Sequence, residues 1–313
     1  MKKINIGSIQ LENNVLSAPL AGYTCYPFRI MSRNLGASLA FTEMVSVNGL
    51  KYNDNATKRL LFTTDDESPR AVQLLGSEPS VFEYVCRSEY IQKFDIIDIN
   101  MGCPVPNVMK SDSGCALMAD ITRASKIISA CRRSGKPVTV KCRVGINADK
   151  INIVEFAKMC EESGADMITV HGRTRSMMYD GEPLYEHIAE AKAFVKIPLI
   201  ANGGINSEDD AVKMMEKTGA DGVMLGRYGF ENPLIFSELT GLTVSETKRS
   251  LLLSQIKLVS RYYDELFTLS YIKKLASYFM KKQPGTKCFK QELYACGSTA
   301  QLESLVMKIF SEE

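Results

Sequence analysis

Histidine is nearly missing: the 313-residue chain has two. Neither they nor the cysteines show paired ligand spacing, so no zinc site is read and no metal is expected. The nine cysteines are odd in number, scattered and free of any C-x-x-C pair, which argues against a disulfide framework. Long apolar runs are missing as well, so no segment is read as spanning a membrane. Met1-Lys2-Lys3 looks like the basic start of a signal peptide, but Asn5, Gln10, Glu12, Asn13 and Asn14 interrupt any apolar stretch behind it. Repeats and low-complexity tracts are absent to the eye. A cytoplasmic monomer is the expectation.

What is there suits a globular protein, with 45% hydrophobic and 24% charged residues. Short apolar runs recur at Val15–Pro19, Leu39–Thr42, Ala71–Leu75, Ile96–Asn100, Val138–Arg143, Met167–His171, Pro198–Ala201 and Asp221–Leu225. Amphipathic stretches lie between most of them, such as Ile153-Phe156-Ala157-Cys160. Gly164-Ala165-Asp166 and Gly219-Ala220-Asp221 punctuate helix ends before the next strand. Eight alternating units in about 240 residues predict an α/β fold, a (β/α)8 TIM barrel. A doubly wound sheet would use the same alternation, but no G-x-G-x-x-G follows the first strand.

After Gly241 the strand-like runs stop. Leu252-Ile256-Val259-Tyr263, Ile272-Leu275-Phe279 and Leu302-Leu305-Val306-Ile309 are spaced for helix faces, with Pro284-Gly285 as a break. The spacing predicts a barrel over 1–241 and a small helical domain over 245–313. Residues 242–313 hold 11 Lys and Arg against 7 Asp and Glu, which leaves 27 against 29 for the rest. Lys274, Tyr278 and Lys281 fall on one predicted helix flank. A solvated face is the plain reading, although cations beside an aromatic also suit a nucleic-acid backbone.

The chemistry gathers at strand ends. Phe94 to Ile99 reads as a buried strand that leads into Asn100-Met101-Gly102-Cys103-Pro104. This places a thiol just past a strand end, where parallel α/β folds carry their sites; on its own, a cysteine is more often a small buried hydrophobe. Gln73, Asn100, Lys141 with Arg143, His171 with Arg173 and Arg175, Asn202 and Arg227 follow the same rule. Lys141 sits at an inward-capable position of an alternating run, and a buried Lys calls for an anionic partner. Asn202-Gly203-Gly204 and Gly226-Arg227 stand after the seventh and eighth strands, where barrels often hold a phosphate. The segment from Lys110 to Leu117 reads as a loop returning to a helix, whose Gly and Ser would permit motion.

Together these pieces resemble the tRNA-dihydrouridine synthases, most of all the bacterial B-type branch. The matching residues are Ala18 to Thr24, Thr42 to Ser46, Gln73 to Gly76, Asp98 to Pro104, Val140 to Arg143, His171 to Arg175, Asn202 to Ile205 and Gly226-Arg227. The resemblance implies an FMN-containing barrel followed by a tRNA-binding helical domain, with NADPH or NADH as reductant. It implies that Pro19, Leu20, Ala21, Gln73, Lys141 and His171 meet the flavin ring. Asn202, Gly203, Gly204, Gly226 and Arg227 would surround its phosphate. Cys103 would be the general acid, giving a proton to uracil carbon 5 as hydride reaches carbon 6. Asn100, Arg173, Arg175, Lys110, Lys273, Lys274, Tyr278 and Lys281 would meet the tRNA. The chain departs from the family pattern at Asn107, where many relatives carry Lys, and at Leu275 and Tyr278 in place of a His and a Trp. Two other readings fit parts of the chain: a dihydroorotate dehydrogenase-like barrel acting on a free pyrimidine, and a non-catalytic RNA-binding flavoprotein. Neither accounts for Cys103, Lys141 and the basic tail together.

Overall fold

A computed structural model describes residues 2–281 and 285–310. Eight parallel strands close into a barrel: β1 (Val15–Ser17), β2 (Leu39–Ser46), β3 (Ala71–Leu75), β4 (Ile96–Met101), β5 (Val138–Arg143), β6 (Met167–His171), β7 (Leu199–Asn202) and β8 (Gly222–Leu225). They pair in chain order, and β8 returns to β1 with Val223 opposite Val15. All eight expected strands are present, with ends that differ by a few residues.

Alternation divides each strand between two environments. Outward residues such as Val72, Ile97, Ile99, Val140 and Val170 join the surrounding helices in the larger core. Inward residues Leu16, Leu39, Phe41, Ala71, Ile96, Met167, Ile200 and Met224 fill the lower barrel. A hairpin of Ile4–Ile6 and Ile9–Leu11 packs its own Ile4, Ile6 and Leu11 into the same cluster. The floor of the barrel is therefore sealed with apolar side chains. Polar inward residues are left for the upper layers, where Gln73 pairs with Asp98, Asp98 with Thr139, and Asn100 with Lys141 across neighbouring strands.

The helices between strands follow from local chemistry. Residues Ile153, Phe156, Ala157 and Cys160 form the buried face of Ile153–Glu162. The helix Glu208–Thr218 starts where the Ser207 side chain accepts the Asp210 N–H. Three acidic residues occupy its first turn, and it ends on Gly219 at φ +63°.

Among the described residues, four α-helices follow Gly241: Lys248–Tyr262, Glu265–Phe279, Lys290–Ala295 and Thr299–Ile309. Thr247, Asp264 and Ser298 cap three of them with side-chain acceptors. The apolar faces expected at Leu252, Ile256 and Val259, at Ile272, Leu275 and Phe279, and at Leu302, Leu305, Val306 and Ile309 are buried. Tyr263, expected on the first of these faces, is half-buried and lies just past that helix, which ends at Tyr262. A second expectation needs correction. The second helix ends at Phe279, so Lys281 lies past its end and does not share a helix flank with Lys274 and Tyr278. Pro284 lies outside the described residues. No helix among the described residues is long and apolar enough to cross a membrane.

Candidate active site

A cavity of about 480 Å³ opens at the C-terminal ends of the strands. Among the described residues its wall carries four cationic side chains, Lys141, Arg143, Arg173 and Arg227, and no carboxylate. A chamber built this way carries a positive potential that favours an anion.

Inward alternation delivers Lys141 to the chamber. Its Nζ donates to Asn202 Oδ1 at 2.8 Å, and Asn202 Nδ2 donates to the Met224 carbonyl at 2.7 Å. Those two bonds fix the orientation of the Asn202 amide. Burial and then Arg143 push the Lys141 ammonium down to about 8, against the opposing charge of Asp98. Burial, reinforced by the four cations, holds His171 well below the usual imidazole range. The ring is therefore neutral. Arg173 Nη1 stands 3.3 Å from His171 Nε2; a guanidinium only donates, so Nε2 accepts and Nδ1 carries the proton.

Arg143 is the hub of the rim. Its Nε donates to the Gly102 carbonyl, and its Nη1 donates to the carbonyls of Thr174 and Met178. One buried guanidinium thus ties the loop after β4 to the loop after β6. Tyr179 lies beside it, with the Arg143 guanidinium 5.5 Å and the Arg227 guanidinium 4.7 Å from its ring centre.

Gly203 and Gly204 adopt φ of +111° and +72°. A Cβ on Gly203 would sit 2.5 Å from His171 Cδ2, and one on Gly204 would sit 2.8 Å from Pro183 Cγ. Gly203→Ala is expected to destabilise the protein by about 1–3 kcal/mol in urea unfolding, through backbone strain and displacement of the His171 ring. An unchanged midpoint with an unchanged ring position would contradict this.

Cys103 is 8% exposed and lines the cavity. Its N–H donates to Asn100 Oδ1 at 2.9 Å, and its carbonyl accepts the Cys115 N–H. Burial pushes the thiol up, with the Val105 N–H and Arg143 opposing. The thiol therefore holds its proton at neutral pH. The helical segment forms part of the wall through Tyr278, whose hydroxyl lies 3.1 Å from that of Tyr23. Lys274 reaches over the Tyr23 ring and donates to the Gly22 carbonyl.

Of the expected cofactor residues, Pro19, Leu20, Ala21, Lys141, His171, Asn202, Gly203, Gly204, Gly226 and Arg227 all line the cavity. Gln73 does not: it is fully buried behind the wall, bonded to Asp98 and Asn100. Among the expected substrate residues, Asn100, Arg173 and Tyr278 line it. Lys110 and Arg175 lie outside its wall; Lys110 closes the short helix Pro106–Met109, and the Arg175 N–H pairs with the Gly145 carbonyl. Lys273 donates to the Tyr294 carbonyl, and Lys281 sits 3.7 Å from the Tyr278 ring centre while pairing with Glu231. Arg143, Tyr23 and Tyr179 line the wall without an individual role expected from sequence. Arg143 is the next inward position after Lys141. Nothing local distinguishes Tyr179.

The donors present suit a phosphorylated cofactor with a polar ring. The cavity is of ligand size, its cations are unopposed within the wall, and glycines at positive φ crowd His171 and Pro183 without a side chain.

A parallel barrel with a cation-lined cavity at the C-terminal ends of its strands has the layout of a barrel enzyme. Solved structures agree on the fold. A morphinone reductase mutant in complex with tetrahydroNAD superposes with a TM-score of 0.53 at 12% identity, covering 80% of this chain and 92% of that one. A 2-naphthoyl-CoA reductase complex gives 0.58 at 12% identity, covering 77% and 52%. The family model described as dihydrouridine synthase (Dus) matches residues 16–312, and the chain belongs to that enzyme family. The tRNA-dihydrouridine synthase B of Pseudomonas aeruginosa is 33% identical over 322 residues, covering 100% of this chain and 97% of its own. A probable tRNA-dihydrouridine synthase of Rickettsia conorii is 37% identical over 267 residues, covering 84% and 81%.

Proposed function

We propose that this enzyme reduces uridines in tRNA to 5,6-dihydrouridine, with FMN resident in the cavity and NADPH or NADH as the electron source. The observation that supports it most is a proton-holding thiol, Cys103, in the same chamber as four cations and no carboxylate. When bound, the flavin supplies hydride to carbon 6 of the uracil ring.

The remaining work falls to the chain. Lys141, the cation on the inward face of β5, offsets negative charge on the ring system at the chamber's base. Arg227 and the amides around Gly203, Gly204 and Gly226 hold the phosphate. Asn100 and Arg173 orient the uracil. Cys103 Sγ carries the proton that carbon 5 needs once negative charge develops across the uracil carbonyl and carbon 5; as the S–H bond breaks, the C–H bond forms. A base must leave its stack to enter such a chamber, which is cheapest in a single-stranded tRNA loop.

We take residues 1–241 as the catalytic domain and 245–313 as the tRNA-binding domain, with Lys273, Lys274, Tyr278 and Lys281 facing the nucleic acid. Lys273→Glu with Lys281→Glu is expected to weaken tRNA binding and to lower the slope of log affinity against log salt by about 1–2, with flavin content unchanged. Equal affinity and slope would remove the helical segment from the tRNA-binding surface.

The deciding experiment maps uridine masses in tRNA from cells lacking the protein, before and after incubation with the flavin-loaded enzyme and NADPH. A gain of two hydrogens at a defined loop position supports the proposal. Oxidation of NADPH with every uridine unchanged would redirect the search to free pyrimidines and enones.

A further inference from the structure

One buried carboxylate in the barrel is not used by the chemistry above. Asp98 is 1% exposed and points inward one layer below the cavity. Its Oδ1 accepts from Thr139 Oγ1 and its Oδ2 from Gln73 Nε2, both at 2.6 Å. Gln73 Oε1 accepts from Asn100 Nδ2 at 2.8 Å. Asn100 Oδ1 in turn accepts the N–H groups of Gly102 at 3.2 Å and Cys103 at 2.9 Å.

We propose that Asp98 is a positioning residue, the anchor of a directional hydrogen-bond relay through Gln73 and Asn100 that sets the backbone of Cys103. The inference rests on the reading of Cys103 as the proton donor.

The direction follows from donor and acceptor chemistry. The nitrogen and oxygen ends of a carboxamide have nearly the same shape, so packing does not choose between them. A carboxylate only accepts, and a backbone N–H only donates. Placed at the two ends of the relay, they leave each amide between them one orientation in which every bond is made. Burial pushes the Asp98 carboxyl up to about 6, against the hydrogen bonds from Thr139 and Gln73 and the charge of Lys141. At neutral pH it is therefore the acceptor that the relay requires. Gln73 is fully buried and Asn100 nearly so, which leaves water little part in the bonding. A broken link would strand a buried polar group.

The consequence falls on the thiol. The Asn100 side chain folds back over the Gly102–Cys103 backbone just where β4 ends, and this turn carries Cys103 into the cavity wall. A misplacement of about 1 Å at a reacting group costs on the order of 100-fold in rate.

The test exchanges acid and amide. Gln73→Met keeps similar volume and breaks the relay. Gln73→Glu with Asp98→Asn rebuilds it. The amide then at position 98 accepts from Thr139 through its oxygen and donates through its nitrogen to the carboxylate at position 73. That carboxylate still accepts from Asn100. Flavin content and melting temperature establish that each variant is folded and loaded. We expect Gln73→Met to lower kcat by about 10- to 100-fold with little change in KM for tRNA, and the exchange variant to recover most of that loss. The rate of Cys103 alkylation by iodoacetamide, read by peptide mass, should differ from wild type in Gln73→Met and match it in the exchange variant. An exchange variant no better than Gln73→Met in both kcat and alkylation would overturn the proposal, as would wild-type behaviour of Gln73→Met. The alkylation readout is independent of the chemistry assigned to Cys103. Wild-type turnover by Cys103→Ala would refute the proton-donor reading while the alkylation order still reported on the relay.

Discussion

Cys103→Ala is expected to keep its flavin and its affinity for tRNA and to lose about 10²–10⁴-fold in turnover, the usual worth of a positioned general acid. The substitution leaves the local framework alone. The bonds that hold residue 103 use its backbone, N–H to Asn100 and carbonyl from Cys115, and an Ala makes both. What disappears is the sulfur, its proton and the contact the Val105 N–H makes with it. Burial raises this thiol above its ordinary value, so the protonated form persists across neutral and mildly alkaline pH and is lost only as pH rises through the raised value. The group is thus poised as an acid and poorly suited as a nucleophile. Cys103→Ser separates acidity from shape: an alcohol fits the site but is a far weaker acid, and it should restore little. Single-turnover reduction of tRNA, followed by mass, checks both variants. Turnover close to wild type in Cys103→Ala would sink the assignment.

The sequence reveals the barrel because period-two alternation and helix punctuation are local signals. Asp98-Ile99-Asn100 shows the pattern at its plainest, with Ile99 in the outer core and its two polar neighbours inside the barrel. The same alternation and strand-end position place both Lys141 and Arg143 in the chamber. Gln73 shows where this reading stops. Alternation says correctly that it faces inward, but depth along the barrel axis depends on how neighbouring strands are staggered, and that is not written in β3 alone. Gln73 is in register with Asp98, one layer below the Asn100–Lys141 pair, on one side and with the cavity-lining Met44 on the other, and its amide is taken up by Asp98 and Asn100. Lys281 fails for a different reason. Helical spacing carries it onward from Lys274 and Tyr278, but the helix stops at Phe279.

The pair that the sequence hides most completely gives the largest expected loss of stability. Arg29 lies in Tyr26–Asn34 and Glu67 in the acidic, proline-bearing stretch before β3, and nothing in their local sequence marks them as partners. In the fold both are 1% exposed and meet as a fork, Arg29 Nε to Glu67 Oε1 at 2.5 Å and Nη2 to Oε2 at 2.7 Å. Removing one member leaves the other charge buried and unpaired. Glu67→Leu is therefore expected to cost about 3–5 kcal/mol in urea unfolding. Replacing both, with Arg29→Leu added, should recover part of the loss but not all. Arg29 also donates to the carbonyls of Thr24 and Phe62, which the double variant leaves without it at about 1–3 kcal/mol each. The damage should also reach the active site. Thr24 Oγ1 accepts the Leu20 N–H and the Thr24 N–H donates to the Leu20 carbonyl, which closes the turn that holds Leu20 and Tyr23 on the cavity rim. Glu67→Leu should lower flavin retention in dilute urea well before the barrel unfolds, whereas Cys103→Ala should not. Equal stability in Glu67→Leu and wild type would mean that the buried charge finds another partner, and the account of this rim as tethered through Arg29 would fall with it.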